Sequence, residues 1–269
     1  MSNSRDCYHF NSAIVRKPSR SVVHGLSAND RGAPDYEGVN AEHNSYIAAL
    51  ESAAVAVTVL PALESYPDSM FVEDPALVFT EGAILLRPGA PSRLGEADEI
   101  ASTLNGFFGS VLRLPQPGHV DGGDVLATPE AVMIGLSART DPAGAEALVE
   151  CLNVFGYKGR IVDTPKGVLH FKTECSLLDE QTVLVTRRMA RAGIFDGYRK
   201  ILVPDGEEPA ANAVRINGSV LVSSQYRRTI EIVSKAGYAV LPVKTTEIEK
   251  IDAGLSCMSL RWFRSSSIT

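Results

Sequence analysis

Residues 55–61 read VAVTVLP, a β-branched apolar run closed by a proline, and the same pattern returns along the chain. A run of this kind predicts a buried strand. A polar loop and a second apolar stretch follow each time. The prolines stand in Leu60-Pro61, Leu114-Pro115, Thr164-Pro165, Val203-Pro204 and Leu241-Pro242, and the second stretches begin near Asp74, Asp121, His170, Asn212 and Cys257. An internal repeat of this kind predicts copies of one supersecondary unit.

The first four copies continue with a turn, a return strand and a helix, and the turn at Asn217-Gly218 favours a two-residue hairpin. The fifth copy stops after its second strand. Its missing parts stand near the start of the sequence, where Ser12 to Lys17 predicts a strand and Tyr36 to Ser52 a helix. We therefore expect an α/β fold of five ββαβ units, closed into a ring by the N-terminal strand, because closure removes exposed sheet edges. The second strands are expected to include His170 to Leu177 and Cys257 to Phe263, and the remaining helices residues 96–108, 141–155, 188–195 and 227–236.

Composition is ordinary for a soluble globular protein, with 45% hydrophobic and 22% charged residues. We expect one domain over residues 1–269, with a disordered polar tail at about 265–269. The net charge of −6 argues against a nucleic-acid partner, which would require a basic face. The start of the sequence lacks an apolar leader, and the stretch Ser52 to Leu63 is too short for a bilayer. A cytoplasmic protein with reduced thiols and no membrane partner is expected; the oligomeric state stays open, a homodimer included.

Residues suited to chemistry occupy the same step of successive units. Taken singly, Cys257 or His170 beside apolar neighbours is most often a core residue, and Asp121 before Gly122 most often marks a turn. A closed ring changes this interpretation, because it brings equivalent positions together. A cysteine, a histidine and an aspartate then supply a nucleophile, its base and the group that orients the base.

The charges around this expected centre indicate the substrate. Negative side chains on one rim would match the planar donors of a guanidinium, and two arginines at equivalent positions after the return strands would match a carboxylate. The acids are Asp68, Glu73, Asp74 and Asp121, and the arginines are Arg93 and Arg139. A ligand with a guanidinium at one end and a carboxylate at the other resembles arginine.

Several motifs, taken in order, resemble dimethylarginine dimethylaminohydrolases of the pentein superfamily, which modify guanidino groups. The resemblance covers nearly the whole chain. It rests on Pro67-Asp68-Ser69-Met70-Phe71-Val72-Glu73-Asp74, Arg87-Pro88-Gly89-Ala90-Pro91-Ser92-Arg93, Asp121-Gly122-Gly123-Asp124-Val125-Leu126, Gly135-Leu136-Ser137-Ala138-Arg139-Thr140, Leu169-His170-Phe171-Lys172 and Leu255-Ser256-Cys257. It implies a five-bladed α/β propeller and a hydrolase that converts Nω-methylated L-arginine to L-citrulline and a methylamine.

The resemblance also implies a role for each residue. Cys257 would be the nucleophile that forms a covalent thiouronium, His170 the general acid and base, and Asp121 the residue that orients His170. Members of the family carry Asp or Glu at that last position. The acids Asp68, Glu73 and Asp74 would hold the guanidinium, Arg93 and Arg139 the α-carboxylate, and backbone carbonyls of Leu26 and Ile251 the α-amino group. The segment Val22 to Asn29 would form a lid, and no cofactor or metal is required.

Three alternatives stay open from the sequence. An arginine deiminase or an amidinotransferase-like pentein would use the same groups on a different substrate. A non-catalytic pentein would act as a binding scaffold, although the Cys, His and Asp set argues against it. A zinc ion on Cys257, His170 and the acids would be inhibitory, since these ligands do not form a closed structural site.

Overall fold

The fold is built from small mixed sheets of three strands each and from the helices that connect their strands. The structure is a computed structural model that describes residues 7–28 and 31–265, so the tail predicted at 265–269 lies almost entirely outside the described residues. The helices are α1 (Tyr36–Ser52), α2 (Glu96–Phe107), α3 (Pro142–Val154), α4 (Arg187–Arg191) and α5 (Arg227–Lys235). The strands are β1 (Ser12–Arg16), β2 (Ala56–Leu60), β3 (Ala76–Val78), β4 (Ala83–Leu85), β5 (Val111–Arg113), β6 (Val125–Ala127), β7 (Val132–Leu136), β8 (Gly159–Asp163), β9 (Cys175–Asp179), β10 (Thr182–Val185), β11 (Arg199–Leu202), β12 (Val214–Ile216), β13 (Ser219–Ser223), β14 (Ala239–Val243) and β15 (Leu260–Trp262).

The predicted repeat is present in every sheet. The strand orders are β15-β1-β2, β3-β4-β5, β6-β7-β8, β9-β10-β11 and β12-β13-β14. In each sheet the middle strand is antiparallel to the first and parallel to the third. One helix connects the middle strand to the third strand, as a parallel pair requires. The sequence prediction of ββαβ units is therefore confirmed.

The predicted pairing of the N-terminal strand with the C-terminal strand is also confirmed. β1 lies between β15 and β2, with Ser12 opposite Trp262 and Ile14 opposite Leu260. Beyond the strands, the Asn11 amide donates to the Arg264 carbonyl at 2.9 Å. The unit that lacks its return strand in sequence is thus completed in space.

Helix boundaries follow from local chemistry. Asp35 begins α1 by accepting a hydrogen bond from the Gly38 N–H, and Asp141 begins α3 in the same way with Gly144. α4 is shorter than predicted. It ends at Arg191, close before Gly193, whose φ of +75° is left-handed and incompatible with a continuing helix.

The starts of two strands were predicted wrongly. His170 precedes a 3-10 helix at Phe171–Thr173, and β9 begins only at Cys175. Cys257 lies within a 3-10 helix at Ser256–Met258, before β15. In addition, β14 continues through Pro242 to Val243; it is the outer strand of its sheet, where a missing N–H is tolerated.

Apolar clusters join successive sheets in a cyclic series. One cluster contains Ile84 of β4 and Ile134 of β7, and another contains Ile14 of β1 and Leu85 of β4. The remaining clusters join the β7 and β10 sheets, the β10 and β13 sheets, and the β13 and β1 sheets. Each sheet therefore shares a core with two others. No helix in the described part of the chain is long and apolar enough to span a bilayer.

Candidate active site

A cavity of about 150 Å³ lies where the loops before the first strands of the sheets meet. It collects nine of the ten residues proposed from the sequence, and Glu73 is the exception. The predicted residues in its lining are Leu26, Asp68, Asp74, Arg93, Asp121, Arg139, His170, Ile251 and Cys257, and the other lining residues are Ser27, Ala28, Phe71, Leu169, Asp252 and Ala253.

Cys257 is held by the backbone on both sides of its 3-10 helix. Its N–H donates to the Gly254 carbonyl at 3.3 Å, and its own carbonyl accepts the Glu73 N–H at 3.2 Å. Burial and, after it, the negative charges of Glu73 and Asp74 raise the pKa of the Cys257 thiol to about 12. In the ligand-free site this residue is therefore a thiol at neutral pH.

His170 and Asp121 form a buried pair. The Nε2 atom of His170 lies 2.9 Å from Oδ2 of Asp121, and Oδ1 of Asp121 accepts the Gly89 N–H at 2.7 Å. Burial alone would lower the pKa of His170, but the charge of Asp74 and the hydrogen bond to Asp121 raise it to about 9. The imidazole is therefore protonated at neutral pH and can donate a proton.

Asp124 supports this pair, although the sequence reasoning gave it no role. Its carboxylate accepts hydrogen bonds from Ser137 Oγ at 2.6 Å, Thr140 Oγ1 at 2.7 Å and the Phe171 N–H at 2.8 Å. Thr140 Oγ1 in turn accepts the Asp121 N–H at 3.2 Å. Asp124 thus ties together the two backbone segments that carry His170 and Asp121. The motif Asp121-Gly122-Gly123-Asp124 could have indicated this role, since it places a second carboxylate beside two glycines.

The glycine at position 123 is required by space. A Cβ atom there would lie 2.8 Å from Nδ1 and 2.9 Å from Cγ of His170, and 3.1 Å from Oδ1 of Asp74. Contacts this short force the neighbours to move. The close approach of the 3-10 turn Gly122–Asp124 to the imidazole therefore depends on the absence of a side chain.

Two of the acids in the lining, Asp68 and Asp74, are anchored by backbone donors. Asp68 accepts the Leu26 N–H at 2.9 Å, and Asp74 accepts the Gly123 N–H at 3.0 Å. Burial raises the pKa of Asp68. Burial alone would also raise the pKa of Asp74, but Arg93 and His170 hold it below its ordinary value. The cavity therefore contains fixed negative charge beside the thiol.

Glu73, predicted to hold the guanidinium together with Asp68 and Asp74, is not among the residues that line this cavity. Glu73 accepts hydrogen bonds from Lys172 Nζ at 2.5 Å, from Ser256 Oγ at 2.8 Å and from Arg261 Nη2 at 3.4 Å. Its side chain lines a different cavity. Residues 72–75 form a turn, and these three partners hold the Glu73 side chain on the side of the turn that faces the other cavity.

The two predicted arginines differ in the hydrogen bonds and ion pairs that they form. Arg93 is buried and forms ion pairs with Asp74 and with Glu96, and its Nη2 also donates to the carbonyl of Phe71 at 2.9 Å. The guanidinium of Arg139 makes no hydrogen bond or ion pair within residues 7–28 and 31–265, although it lines the cavity. Arg139 is thus the cation that is available to a ligand.

The segment predicted as a lid lies over the cavity edge. Residues 20–24 form a 3-10 helix, and Leu26 is 39% exposed. Ser27 Oγ donates to the Lys250 carbonyl at 2.9 Å, and the Ala28 N–H donates to Asp252. The lid therefore reaches across to the loop that carries Ile251. Asn29, the last residue of the predicted lid, lies outside the described residues.

One group of side chains in the described part of the chain has the spacing of metal ligands. Single atoms of Asp74, Asp121 and His170 lie within 4.8 Å of one another. These atoms already have partners, because Asp74 pairs with Arg93 and Asp121 with His170. Cys257, a ligand in the zinc alternative, is not part of the group.

Comparisons with known proteins agree with this geometry. A family model described as Arginine deiminase matches residues 108–208. The N(G),N(G)-dimethylarginine dimethylaminohydrolase of Pseudomonas aeruginosa is 41% identical over 94% of this chain and 100% of that protein. The Streptomyces coelicolor protein of the same name is 30% identical over 93% of this chain and 96% of that protein.

Solved structures give the same result. Dimethylarginine dimethylaminohydrolase from Pseudomonas aeruginosa, as a cysteine-to-serine variant complexed with citrulline, has a TM-score of 0.91 at 40% identity and covers 94% of this chain and 100% of that one. The S-methyl-L-thiocitrulline adduct of a histidine-to-glycine variant has a TM-score of 0.91 at 40% identity, with 94% and 99% covered. The chain belongs to the dimethylarginine dimethylaminohydrolase family.

Proposed function

We propose that the protein hydrolyses Nω-methylated L-arginine to L-citrulline and dimethylamine or methylamine. The observation that carries this proposal is the lining of one cavity. It contains a buried thiol, a hydrogen-bonded His170–Asp121 pair, two anchored carboxylates and an uncommitted guanidinium. The relatives were solved with citrulline and with S-methyl-L-thiocitrulline, which supports a small amino-acid ligand of this kind.

Substrate binding prepares the nucleophile in this proposal. Asp68 and Asp74 attract the guanidinium, which brings a positive charge next to Cys257. That charge lowers the pKa of the thiol, because a nearby cation favours the thiolate. The site is thus reactive chiefly when a cationic substrate is present. A neutral ligand would leave Cys257 protonated.

The chemistry then needs only groups of this chain and water. The Cys257 thiol loses its proton to solvent when the cationic substrate binds, and the thiolate forms a C–S bond to the guanidinium carbon. Protonated His170 donates its proton to the methylated nitrogen, the C–N bond breaks, and the amine leaves. The neutral imidazole takes a proton from water, whose oxygen attacks the thiouronium carbon. Breaking the C–S bond releases citrulline and regenerates the thiolate.

The remaining residues position the substrate. Arg139 holds the α-carboxylate as an ion pair, and the backbone carbonyls of Leu26 and Ile251 accept hydrogen bonds from the α-amino group. Arg93 acts mainly by fixing Asp74, to which it is already bound. The segment from Val22 onward covers the ligand and excludes water from the reacting carbon.

We also infer that residues 1–269 form one domain in which the sheets are the blades of a five-bladed propeller. The cyclic series of shared apolar clusters supports this arrangement. The first strands of all five sheets line one common cavity, as the inner strands of such a propeller would.

A direct assay tests the proposed function. The purified protein is incubated with asymmetric dimethylarginine, monomethylarginine or arginine, and citrulline is measured. Citrulline from the methylated substrates, and none from a Cys257→Ala variant, is the expected result. Turnover by that variant at the wild-type rate would refute the thiol mechanism.

Arginine deiminase activity is the second candidate, because residues 108–208 match the arginine deiminase model. The same assay separates the two. A larger kcat/KM for arginine than for the methylated substrates would identify a deiminase. If no substrate yields citrulline and Cys257 resists alkylation by a haloacetamidine, the scaffold alternative is favoured.

A further inference from the structure

A second cavity, of about 190 Å³, lies between the first strands of the sheets. Residues of β3, β6, β9, β12 and β15 all contribute to it, so we call it the strand-lined cavity. It shares no lining residue with the candidate active site. The exposed residues His9 and Phe263 lie at its mouth, and the buried residues Glu73, Lys172 and Ser256 lie at its base.

The charges that line this cavity do not balance. Its lining contains the cations Lys172, Arg215 and Arg261, and Glu73 is the one acid among the described lining residues. Lys172 and Arg261 both approach the same oxygen of Glu73, at 2.5 Å and 3.4 Å. Their side chains are only 10% and 13% exposed. One carboxylate therefore faces two buried cations, and an uncompensated buried charge is costly.

Unused hydrogen-bond donors accompany the excess positive charge. The ammonium of Lys172 has three donors and, within residues 7–28 and 31–265, forms one hydrogen bond, to Glu73. Ser176 Oγ and Arg215 Nε, on two further lining strands, are buried and have no hydrogen-bond partner among the described residues. Buried donors without acceptors destabilise a fold, so they indicate a missing acceptor. A ligand with several acceptor oxygens and a negative charge would satisfy both deficits.

We propose that the strand-lined cavity is a second ligand site, for a small oxyanion such as inorganic phosphate or a short dicarboxylate, bound by Lys172, Arg261 and Ser176. The Lys172 ammonium keeps donors for an oxyanion beside Glu73, and charge-assisted hydrogen bonds to such groups are strong. Arg261 adds positive charge, although its Nη1 already donates to the carbonyls of Ser256 and Ser259 at 3.1 Å and 2.9 Å. The volume is sufficient for such an ion with several waters.

An anion bound in the strand-lined cavity would affect the candidate active site through the residues at the base of the strand-lined cavity. The Ser256 hydroxyl donates to Glu73 at 2.8 Å, and the Glu73 N–H donates to the Cys257 carbonyl at 3.2 Å. A bound anion adds negative charge behind Cys257 without entering the methylarginine cavity. We therefore expect it to lower kcat for citrulline formation and to leave KM unchanged, so the inhibition is not competitive.

Isothermal titration calorimetry of the full chain tests the proposal without using catalysis. Phosphate and succinate are titrated separately, at two temperatures, in an amine buffer with chloride as the counter-ion. We expect one-to-one binding of at least one anion with a Kd below about 1 mM, and the tighter of the two identifies the preferred class. No saturable binding of either anion would overturn the proposal.

Variants locate the bound anion. Lys172→Gln removes one charged donor and is expected to weaken binding by about 10- to 100-fold. Arg139→Gln, the matched loss of a cation in the candidate active site, is expected to leave binding unchanged. Binding that is lost in Arg139→Gln and retained in Lys172→Gln would place the anion in the methylarginine cavity and refute the proposal. If Lys172→Gln does not fold, Ser176→Ala provides the test, and an unchanged affinity in that variant overturns the assignment.

Discussion

Replacing Asp121 by asparagine should lower the pKa of His170 and keep the local structure. The asparagine carbonyl can still accept the Gly89 N–H, which Asp121 now accepts at 2.7 Å. Its amide NH₂ then faces the Nε2 atom of His170, which lies 2.9 Å from the carboxylate in the structure. Because the amide is a donor, Nε2 must become an acceptor, so the variant favours the unprotonated imidazole.

The size of the effect follows from the lost hydrogen bond. A hydrogen bond to a charged group contributes about 1.5 to 3 kcal/mol, which corresponds to about 1 to 2 pKa units. The pKa of His170, about 9 in the wild type, would therefore fall to about 7 to 8. We expect kcat to drop by about 10²- to 10⁴-fold, the range for loss of general acid-base catalysis. The alkaline limb of its pH profile should move to lower pH.

The assay is citrulline formation from asymmetric dimethylarginine as a function of pH. Asp141→Asn is the matched control, because Asp141 forms a histidine–aspartate pair outside the cavity, with His119 at 3.2 Å, and asparagine can still begin α3. The control should keep the wild-type profile. A wild-type kcat and an unshifted alkaline limb in Asp121→Asn would refute the role given to this pair.

Three further predictions concern other parts of the molecule. Gly123→Ala should reduce kcat more than about tenfold, because the new Cβ overpacks His170, whereas Gly109→Ala, which meets open space, should not. Arg139→Gln should raise KM for methylarginine by about 10- to 100-fold with a smaller change in kcat; an unchanged KM would assign the α-carboxylate to another group. His43 is buried, neither of its ring nitrogens has a hydrogen-bond partner in the described part of the chain, and burial lowers its pKa from 6.5 to about 4. Its contribution to stability is therefore complete above pH 6.5 and is lost as the pH falls toward 4. Denaturant titrations of wild type and His43→Leu should show that only the wild type loses this free energy of unfolding, about 2 kcal/mol between pH 7 and 5; parallel pH curves would contradict the assignment.

The ring-like order of strands could be predicted from the sequence because it is encoded locally. Each unit contains an apolar strand, a turn and an amphipathic helix, and the incomplete last unit requires the strand at Ser12–Arg16 to complete it. The starts of the second strands could not be predicted in this way. The residues around His170 and Cys257 are as apolar as a strand, and only tertiary contacts show that the chain first forms a 3-10 turn.

The candidate site could be predicted as a set of residues but not as a set of orientations. Nine of the ten residues line one cavity. Asp74, Asp121, His170 and Cys257 meet there because each stands at the same step of its unit. The direction of the Glu73 side chain depends on Lys172, Ser256 and Arg261, partners that come from distant parts of the sequence. Arg93 forms an ion pair with Glu96, which stands three residues later in the predicted first turn of α2. The sequence therefore showed a nearby partner for Arg93, but it did not show that the pair is buried.

The central position of β1 in its sheet has a consequence for how the chain could be rewired. In four sheets the first and middle strands are joined by a short turn, but β15 and β1 are joined only through space. Their contact closes a loop between residues 253 positions apart, such as Asn11 and Arg264. By loop-closure entropy this costs about 3 kcal/mol more than a hairpin of about ten residues. A linker between these two ends would turn β15 and β1 into an ordinary hairpin, and the backbone could then be opened at Asn217-Gly218 instead. The order in which the strands are connected is thus open to change, and the present order makes the sheet that contains β15, the strand after Cys257, the one that is entropically most expensive to assemble.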